Sequence, residues 1–279
     1  MTRHTTMLLA GAGLWLAATH AIAAESYDNC TGFIDSLPAT IATQGVWCLR
    51  QHLSTAIASG NAITIATNNV TIDCNDFKVG GLAAGDTSQA IGIQSLERQN
   101  ATVRQCALRG FRTGIQLFEG SGHLVEDNRL DNNLYVGIRV TGEGNLVQRN
   151  RVFDTGGYPA PESQHEIHGI HVNADVIDNV VDGVFGTNAY SIAVGIEGDG
   201  PGTVIHGNRV RGVVVPENSF RYAVGIDGPG DTGRIEGNHV HGGGSGWGIE
   251  RGFLCANNSV TNVYTPYAVC THSVGNVPE

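Results

Sequence analysis

Apolar residues in this chain come in short bursts that alternate with polar ones, as in Ala62-Ile63-Thr64-Ile65 and Val136-Gly137-Ile138-Arg139-Val140. A period of two is that of a strand with one buried face, and the bursts are too short to carry the 3.6-residue period of an amphipathic helix. The bursts also recur as a unit. A Gly-Ile pair returns at Gly92, Gly114, Gly137, Gly169, Gly195, Gly225 and Gly248, and each copy is followed by an apolar-x-x-Asn-x-apolar half. Those halves place Asn128, Asn150, Asn179, Asn208, Asn238 and Asn258, with Cys106 once in the asparagine slot, and Ile72-Asp73-Cys74-Asn75-Asp76-Phe77 opens the series.

The step between asparagine slots is 22 residues from 106 to 128 and from 128 to 150, 29 from 150 to 179 and from 179 to 208, and 30 from 208 to 238. Self-similarity at such a period marks a solenoid. Ankyrin and tetratricopeptide units need longer, more constant, helical repeats, and the consensus leucines of a leucine-rich repeat are missing. Short strands joined by Gly- and Asn-rich corners describe an all-β parallel β-helix. The expected organisation is an export signal over residues 1–23, an N-terminal cap over 24–60 containing Val46-Trp47-Cys48-Leu49, and the β-helix over 61–279. In the last copy, Tyr267-Ala268-Val269-Cys270-Thr271-His272 aligns with Tyr222-Ala223-Val224-Gly225-Ile226-Asp227. That puts Cys270 in the Gly slot and Thr271 in the Ile slot of a degenerate closing coil.

Composition narrows the function classes. Gly reaches 39 and aromatic residues only 6%, which suits many tight corners around a narrow core. A net charge of -10 with Lys78 as the sole lysine excludes a phosphate-binding stripe, so nucleic acid is not an expected partner. Residues 1–23 carry a polar start (Arg3, His4), an apolar run and the small-x-small site Ala21-Ile22-Ala23, the pattern of a cleaved export signal. The mature protein is therefore expected outside the cytoplasm, periplasmic or extracellular, with no later stretch able to span a bilayer. Six cysteines in an oxidising compartment read as disulfides rather than metal ligands. Their connectivity stays open, and pairs within a coil or between neighbouring coils are expected: Cys30 with Cys48, Cys74 with Cys106, Cys255 with Cys270.

The stacked Gly-Ile strands, the asparagine at a recurrent corner and the export signal resemble the right-handed parallel β-helix proteins of the pectate-lyase-like superfamily. The resemblance implies a right-handed single-stranded coil in which Asn128, Asn150, Asn179, Asn208 and Asn238 form a buried column bonding the backbones of neighbouring turns. Asparagine also tolerates the left-handed conformation a corner demands. The superfamily's catalytic signatures are absent: there is no Arg-x-Pro-x-x-Arg, no Asp-Pro-x-x-His and no Gly-His-Gly, so no catalytic residue is carried over by motif.

Geometry supplies candidates instead. If the Ile of each Gly-Ile pair points inward, the next residue points outward, giving a column of Gln94, Gln116, Arg139, His171, Glu197, Asp227, Glu250 and His272. The same parity puts the Gly column outside, a bare strip beside the polar one. Loops entering the column are enlarged in three consecutive copies, with 19 residues from 150 to 169, 16 from 179 to 195 and 17 from 208 to 225, against 9 from 128 to 137. Insertions at one phase of a solenoid pile up on one side and build a binding face. Glu197 and Asp227 are then like charges on adjacent coils, a pair suited to a shared proton or a bound calcium ion. His171 is the expected proton acceptor, and Arg139 the partner for a sugar carboxylate. Tyr158, Glu162, Tyr190, Arg221 and Tyr222 on or near the long loops, with Glu250 and His272, are the expected sugar contacts. In His165-Glu166-Ile167-His168, residues three apart on a regular strand face opposite sides. His165, His168 and His171 are therefore not expected to converge on zinc without a bulge, and His168 is expected to be a buried, hydrogen-bonded side chain. The expected function is binding, and cleavage or modification, of an acidic polysaccharide in the manner of a lyase, with hydrolase or epimerase chemistry ranked below. The alternative is a non-catalytic envelope, adhesion or structural solenoid.

Overall fold

The computed structural model describes residues 27–159, 165–230 and 232–278. The expected export signal and Glu162 lie outside those residues. Among the described residues the chain is almost wholly strand, with one short 3-10 turn at Leu82–Ala84, and every strand pairing is parallel. Each coil contributes three strands, so three walls run the length of the molecule. The first wall carries the Gly-Ile strands, including Thr113–Ser121, Val136–Val140, His165–Val172, Ser191–Gly198 and Ala223–Asp227. The second carries strands such as Leu146–Gln148, Asp175–Ile177 and Val204–His206, and the third strands such as Arg151–Gly156, Val180–Phe185 and Arg209–Val214. Trp247–Ala256 is long enough to bend from the first wall into the second, where Leu254 to Ala256 pair with Arg234 to Glu236.

The interior is filled one layer per coil. On the first wall Ile63, Ile93, Ile115, Ile138, Ile170, Ile196, Ile226 and Ile249 pair in register and are fully buried. On the third, Leu108, Leu130, Val152, Val181 and Val210 do the same. A fully buried side chain of this kind stabilises the fold by about 1.5–3 kcal/mol. Repetition of the layer, not any large aromatic cluster, therefore supplies the hydrophobic drive.

The asparagine corner is a continuous ladder. Asn128, Asn150, Asn179, Asn208, Asn238 and Asn258 are at most 2% exposed. The backbone N–H of Asn150 donates to Asn179 Oδ1 at 2.9 Å, and the Asn150 side-chain amide donates to the same oxygen and to the Val125 carbonyl. The same pattern climbs through Asn208, Asn238 and Asn258 to Asn276, a rung the repeat pattern did not mark. Below Asn128, Cys106 takes the slot and joins the coil beneath through Cys74, so a covalent link continues the ladder. The other two disulfides are Cys30–Cys48 and Cys255–Cys270, and no described cysteine is free. One expectation is corrected here. The left-handed residue is the one before each asparagine, namely Asp127, Arg149, Asp178, Gly207 and Gly237. The bend is made one position early so that the amide itself stays in the interior, where it can satisfy backbone groups that a corner leaves unpaired.

The glycine column is also corrected. Gly137, Gly169, Gly195 and Gly225 are buried and face inward: a Cβ on Gly195 would lie 2.4 Å from the Gly225 carbonyl oxygen and 2.5 Å from a Val210 methyl. Their φ values are not left-handed; close approach of the next coil's backbone is what demands glycine. The ladder skips these positions, pairing His168 with Val194 and Ile170 with Ile196. The strand is therefore kinked at every Gly, and strict alternation holds only on either side of the kink.

Both ends depart from expectation. Within the stretch expected to cap the coil, Gly32–Ile34, Ala39–Ile41, Gly45–Leu49 and Leu53–Ser54 already pair in parallel with the coils that follow. At the other end Ile249 pairs with Tyr267 and Gly252 with Cys270. The Ile slot of the closing coil thus belongs to Tyr267 and the Gly slot to Pro266, not to Thr271 and Cys270. Tyr267 is held there by its hydroxyl, which donates to the Asn258 carbonyl at 2.8 Å. Among the described residues, no helix is long and apolar enough to cross a membrane.

Candidate functional site

The outward column forms on the first wall. Gln94, Gln116, Arg139, His171, Glu197, Asp227 and Glu250 are consecutive register partners. His272 is not among them. The partner of Glu250 is Ala268, while His272 pairs with Leu254 and packs edge-on against Phe253 at 4.9 Å. The misplacement follows from the misaligned closing coil.

At the three enlarged coils the wall is hollowed into a cleft of ≈ 330 Å³ lined by Glu166, Glu197, Asp227, Glu250, Arg251, Tyr222 and a small apolar floor of Ile192, Val194 and Val224. That floor is separate from the main core and is covered from outside by Tyr222 and Trp247, whose rings lie 4.1 Å apart. It exists because of the glycine kink: the residue before each Gly turns outward rather than in.

The same kink places His168. It is 4% exposed, as its apolar slot implied, but on the outer side, stacked on His171 with ring centroids 4.6 Å apart. Its Nε2 lies 2.5 Å from Glu197 Oε2 and 3.9 Å from Glu166 Oε2. Neither His168 ring nitrogen, nor Glu197 Oε2, makes a well-directed hydrogen bond. The expected hydrogen-bonded core histidine is thus an ion-pair partner in the site, and Gly169 is the bulge that lets residues three apart share a side. His171 Nε2 lies 4.0 Å from Glu197 Oε2 and 3.0 Å from Asp199 Oδ2.

Arg251 is the second group outside the column. Its φ of 53° is left-handed, so the residue after Glu250 swings outward instead of alternating inward. Its Nε donates to Asp227 Oδ1 at 2.6 Å, its NH2 contacts Asp227 Oδ2, and NH2 lies 3.7 Å from Glu197 Oε1. The cation between Glu197 and Asp227 in this structure is therefore a guanidinium, and calcium on the same two carboxylates has to displace it.

These contacts spread the acidities along the face. Burial pushes Glu197 up, but the hydrogen-bonding approach of His168 and the charges of His168 and His171 outweigh it and leave the carboxyl below its ordinary value. His171 holds Asp199 down. Burial raises Asp227 despite Arg251. Glu250 is pushed up to about 7 by burial and then by the Asp227 charge, against the pull of Arg251. Two carboxyls two rungs apart thus favour opposite protonation states near neutrality, the separation that acid and base roles require.

The remaining candidates lie around this cleft. Arg139 is the rung below His171 and lies over the Phe118 ring at 5.4 Å. Tyr158 is drawn away, packed edge-on against Tyr135 and bonded to Gln89, with Arg112 over its ring. Tyr190 pairs with Phe220 at 5.6 Å, and Phe220 is 76% exposed; neither Tyr190 nor the exposed Arg221 lines the cleft. Sequence reasoning missed Asp199, Arg251, Glu166 and Trp247. Asp199 and Arg251 were findable only as neighbours of Glu197 and Glu250, because each owes its orientation to a bend.

Fold and cleft define a class: a right-handed parallel β-helix carrying a charged site on one outer wall. Residues 52–210, more than half of the chain, match the family model described as the right-handed beta helix region, and the chain belongs to that family. No curated protein sequence matches it. Among solved structures it is similar to the A-module of mannuronan C-5 epimerase AlgE6 of Azotobacter vinelandii, with 10% identity, a TM-score of 0.50 and coverage of 90% of this chain and 91% of that one. It is also similar to the enzymatically active domain of tailspike protein 2 of bacteriophage CBA120, with 13% identity, a TM-score of 0.53 and coverage of 86% of this chain but 38% of that one. At these identities the likeness is one of fold.

Proposed function

We propose that this protein is exported and binds and modifies an acidic polysaccharide along the first wall, in the cleft between His171 and Glu250. The observation that carries the reading is the gradient in that cleft. Glu197, held ionised beside two histidines, stands at one end, and Glu250, protonated up to about pH 7, stands at the other. Arg251 lies between them, with Tyr222 and Trp247 as an aromatic wall. Aromatic faces suit the apolar faces of sugar rings, and a guanidinium suits a sugar carboxylate. Three disulfides fit an oxidising compartment.

The chemistry favoured is β-elimination. The basic cluster of His168, His171 and Glu197 takes the C5 proton of a uronate, the electron pair forms the C4–C5 double bond, and the C4–O glycosidic bond breaks. Glu250 delivers a proton to the departing oxygen. Arg251 or Arg139 neutralises the sugar carboxylate while charge builds on it. The resemblance of the fold to an epimerase module and a tailspike domain agrees with a polysaccharide ligand but adds nothing to residue roles.

The test is to incubate the protein with a panel of uronate polymers and follow unsaturated ends, reducing ends and the epimer ratio by NMR. Turnover lost in both Glu197→Gln and Glu250→Gln is the expected result. Turnover unchanged in that pair of variants removes the site, and binding without turnover on every polymer favours the non-catalytic envelope or adhesion solenoid.

A further inference from the structure

The His168, His171 and Glu197 side chains present three donor atoms that all lie within 4.8 Å of one another. Zinc-type ligands around one tetrahedral ion stand about 3.3 Å apart, given metal–ligand bonds of about 2.0–2.1 Å. The 2.5 Å and 4.0 Å separations from Glu197 Oε2 to the two imidazoles bracket that value. A second, independent observation points to a ligand. His168 is 4% exposed, and both its Nε2 and Glu197 Oε2 are buried without a well-directed hydrogen bond, though each faces the other group's donor. Buried polar atoms left in that state are costly, and an ion between them would satisfy both at once.

We infer that His168, His171 and Glu197 form a binding site for a divalent transition-metal ion of the zinc class. Two imidazoles and one carboxylate are the donor set for such ions; calcium wants six to eight oxygens and takes imidazole poorly. The histidines reach the site together only because Gly169 kinks the strand, and Gly169 is fixed by the Gly195 carbonyl, 2.6 Å from where its Cβ would lie. Asp199, 3.0 Å from His171 Nε2, orients that ring or supplies a fourth oxygen. Glu197 lines the cleft, so an open coordination position would face it. The site lies at the basic end of the proposed polysaccharide face but does not depend on that reading.

The probe is cobalt(II) or zinc(II) alone, added to the chelator-stripped full chain with no polymer present. One equivalent of cobalt with the visible absorption of a four-coordinate nitrogen–oxygen site is expected, together with a zinc-dependent rise in melting temperature. His171→Ala and Glu197→Gln, both at partly exposed side chains, are expected to abolish the absorption while keeping the strand signal in circular dichroism. Asp199→Asn is expected to weaken binding about 10-fold, and His241→Ala on the third wall to leave it unchanged. No cobalt spectrum, or one that survives His171→Ala and Glu197→Gln, or one lost in His241→Ala, overturns the site. A negative titration with polymer turnover intact removes the ion alone; a positive one with no turnover on any polymer upholds the ion and removes the lyase reading.

Discussion

Two columns run up this solenoid with one residue per coil, and they differ in everything but their geometry. At the inner corner the same asparagine repeats from Asn128 to Asn276, buried and bonded to its own kind. On the outer first wall the rungs change from Gln94 through Arg139 and His171 to Glu250. A ladder of identical amides works because each coil offers its neighbour the same donors and acceptors, so any deviation leaves a buried group unpaired. The outer column carries no such constraint, since water or a ligand can satisfy whatever stands there. Uniformity thus marks the stacking device and variety marks the surface available for chemistry. The coils where variety peaks are also those whose loops are longest.

The largest effect that would sharpen this contrast is on the inner column. Asn179→Ala removes the acceptor for the Asn150 N–H and side-chain amide and the donors to the Val147 and Ile177 carbonyls. It is expected to cost about 3 kcal/mol in urea denaturation, whereas Glu197→Gln on the outer column is expected to cost far less stability and to remove turnover. Replacing Cys74 and Cys106 together with serine is expected to destabilise by about 2–4 kcal/mol, because the link stands where the amide ladder ends. Equal stability losses from Asn179→Ala and Glu197→Gln would erase the distinction between the columns.

A smaller effect lies in pH. Glu250 has a folded-state pKa near 7, above the ordinary value of 4.5. The folded protein therefore binds this proton more tightly than the unfolded chain. The associated stability is full below about pH 4.5 and is lost as pH rises through 7. Melting temperature is expected to fall across that window in the wild type and to fall less in Glu250→Gln; the high-pH limb of any turnover profile should vanish with the same substitution. A melting profile identical in the two proteins would remove the shift. Least of all is expected from Arg211→Ala, which breaks an exposed pair with Asp182 at 2.8 Å on the third wall. That change should stay within about 0.5 kcal/mol and leave any activity untouched.

The fold was readable because a period of two inside a repeat of 22 to 30 residues has few structural solutions. The in-register outward column was readable from the same alternation. What escaped the sequence lies at breaks in that alternation. The glycines turned inward, His168 turned outward, Arg251 crossed to the side of Glu250, and the closing coil slipped so that His272 left the column.

By itself the sequence determined that this chain stacks: hydrophobic alternation, the asparagine corner and the six cysteines each restate the same coil, and repetition averages away local ambiguity. Only the tertiary structure decided which ionisable groups meet. One left-handed residue or one kinked glycine reverses the face of its neighbour, and what favours that reversal is the carbonyl of the next coil, some 30 residues away in the chain.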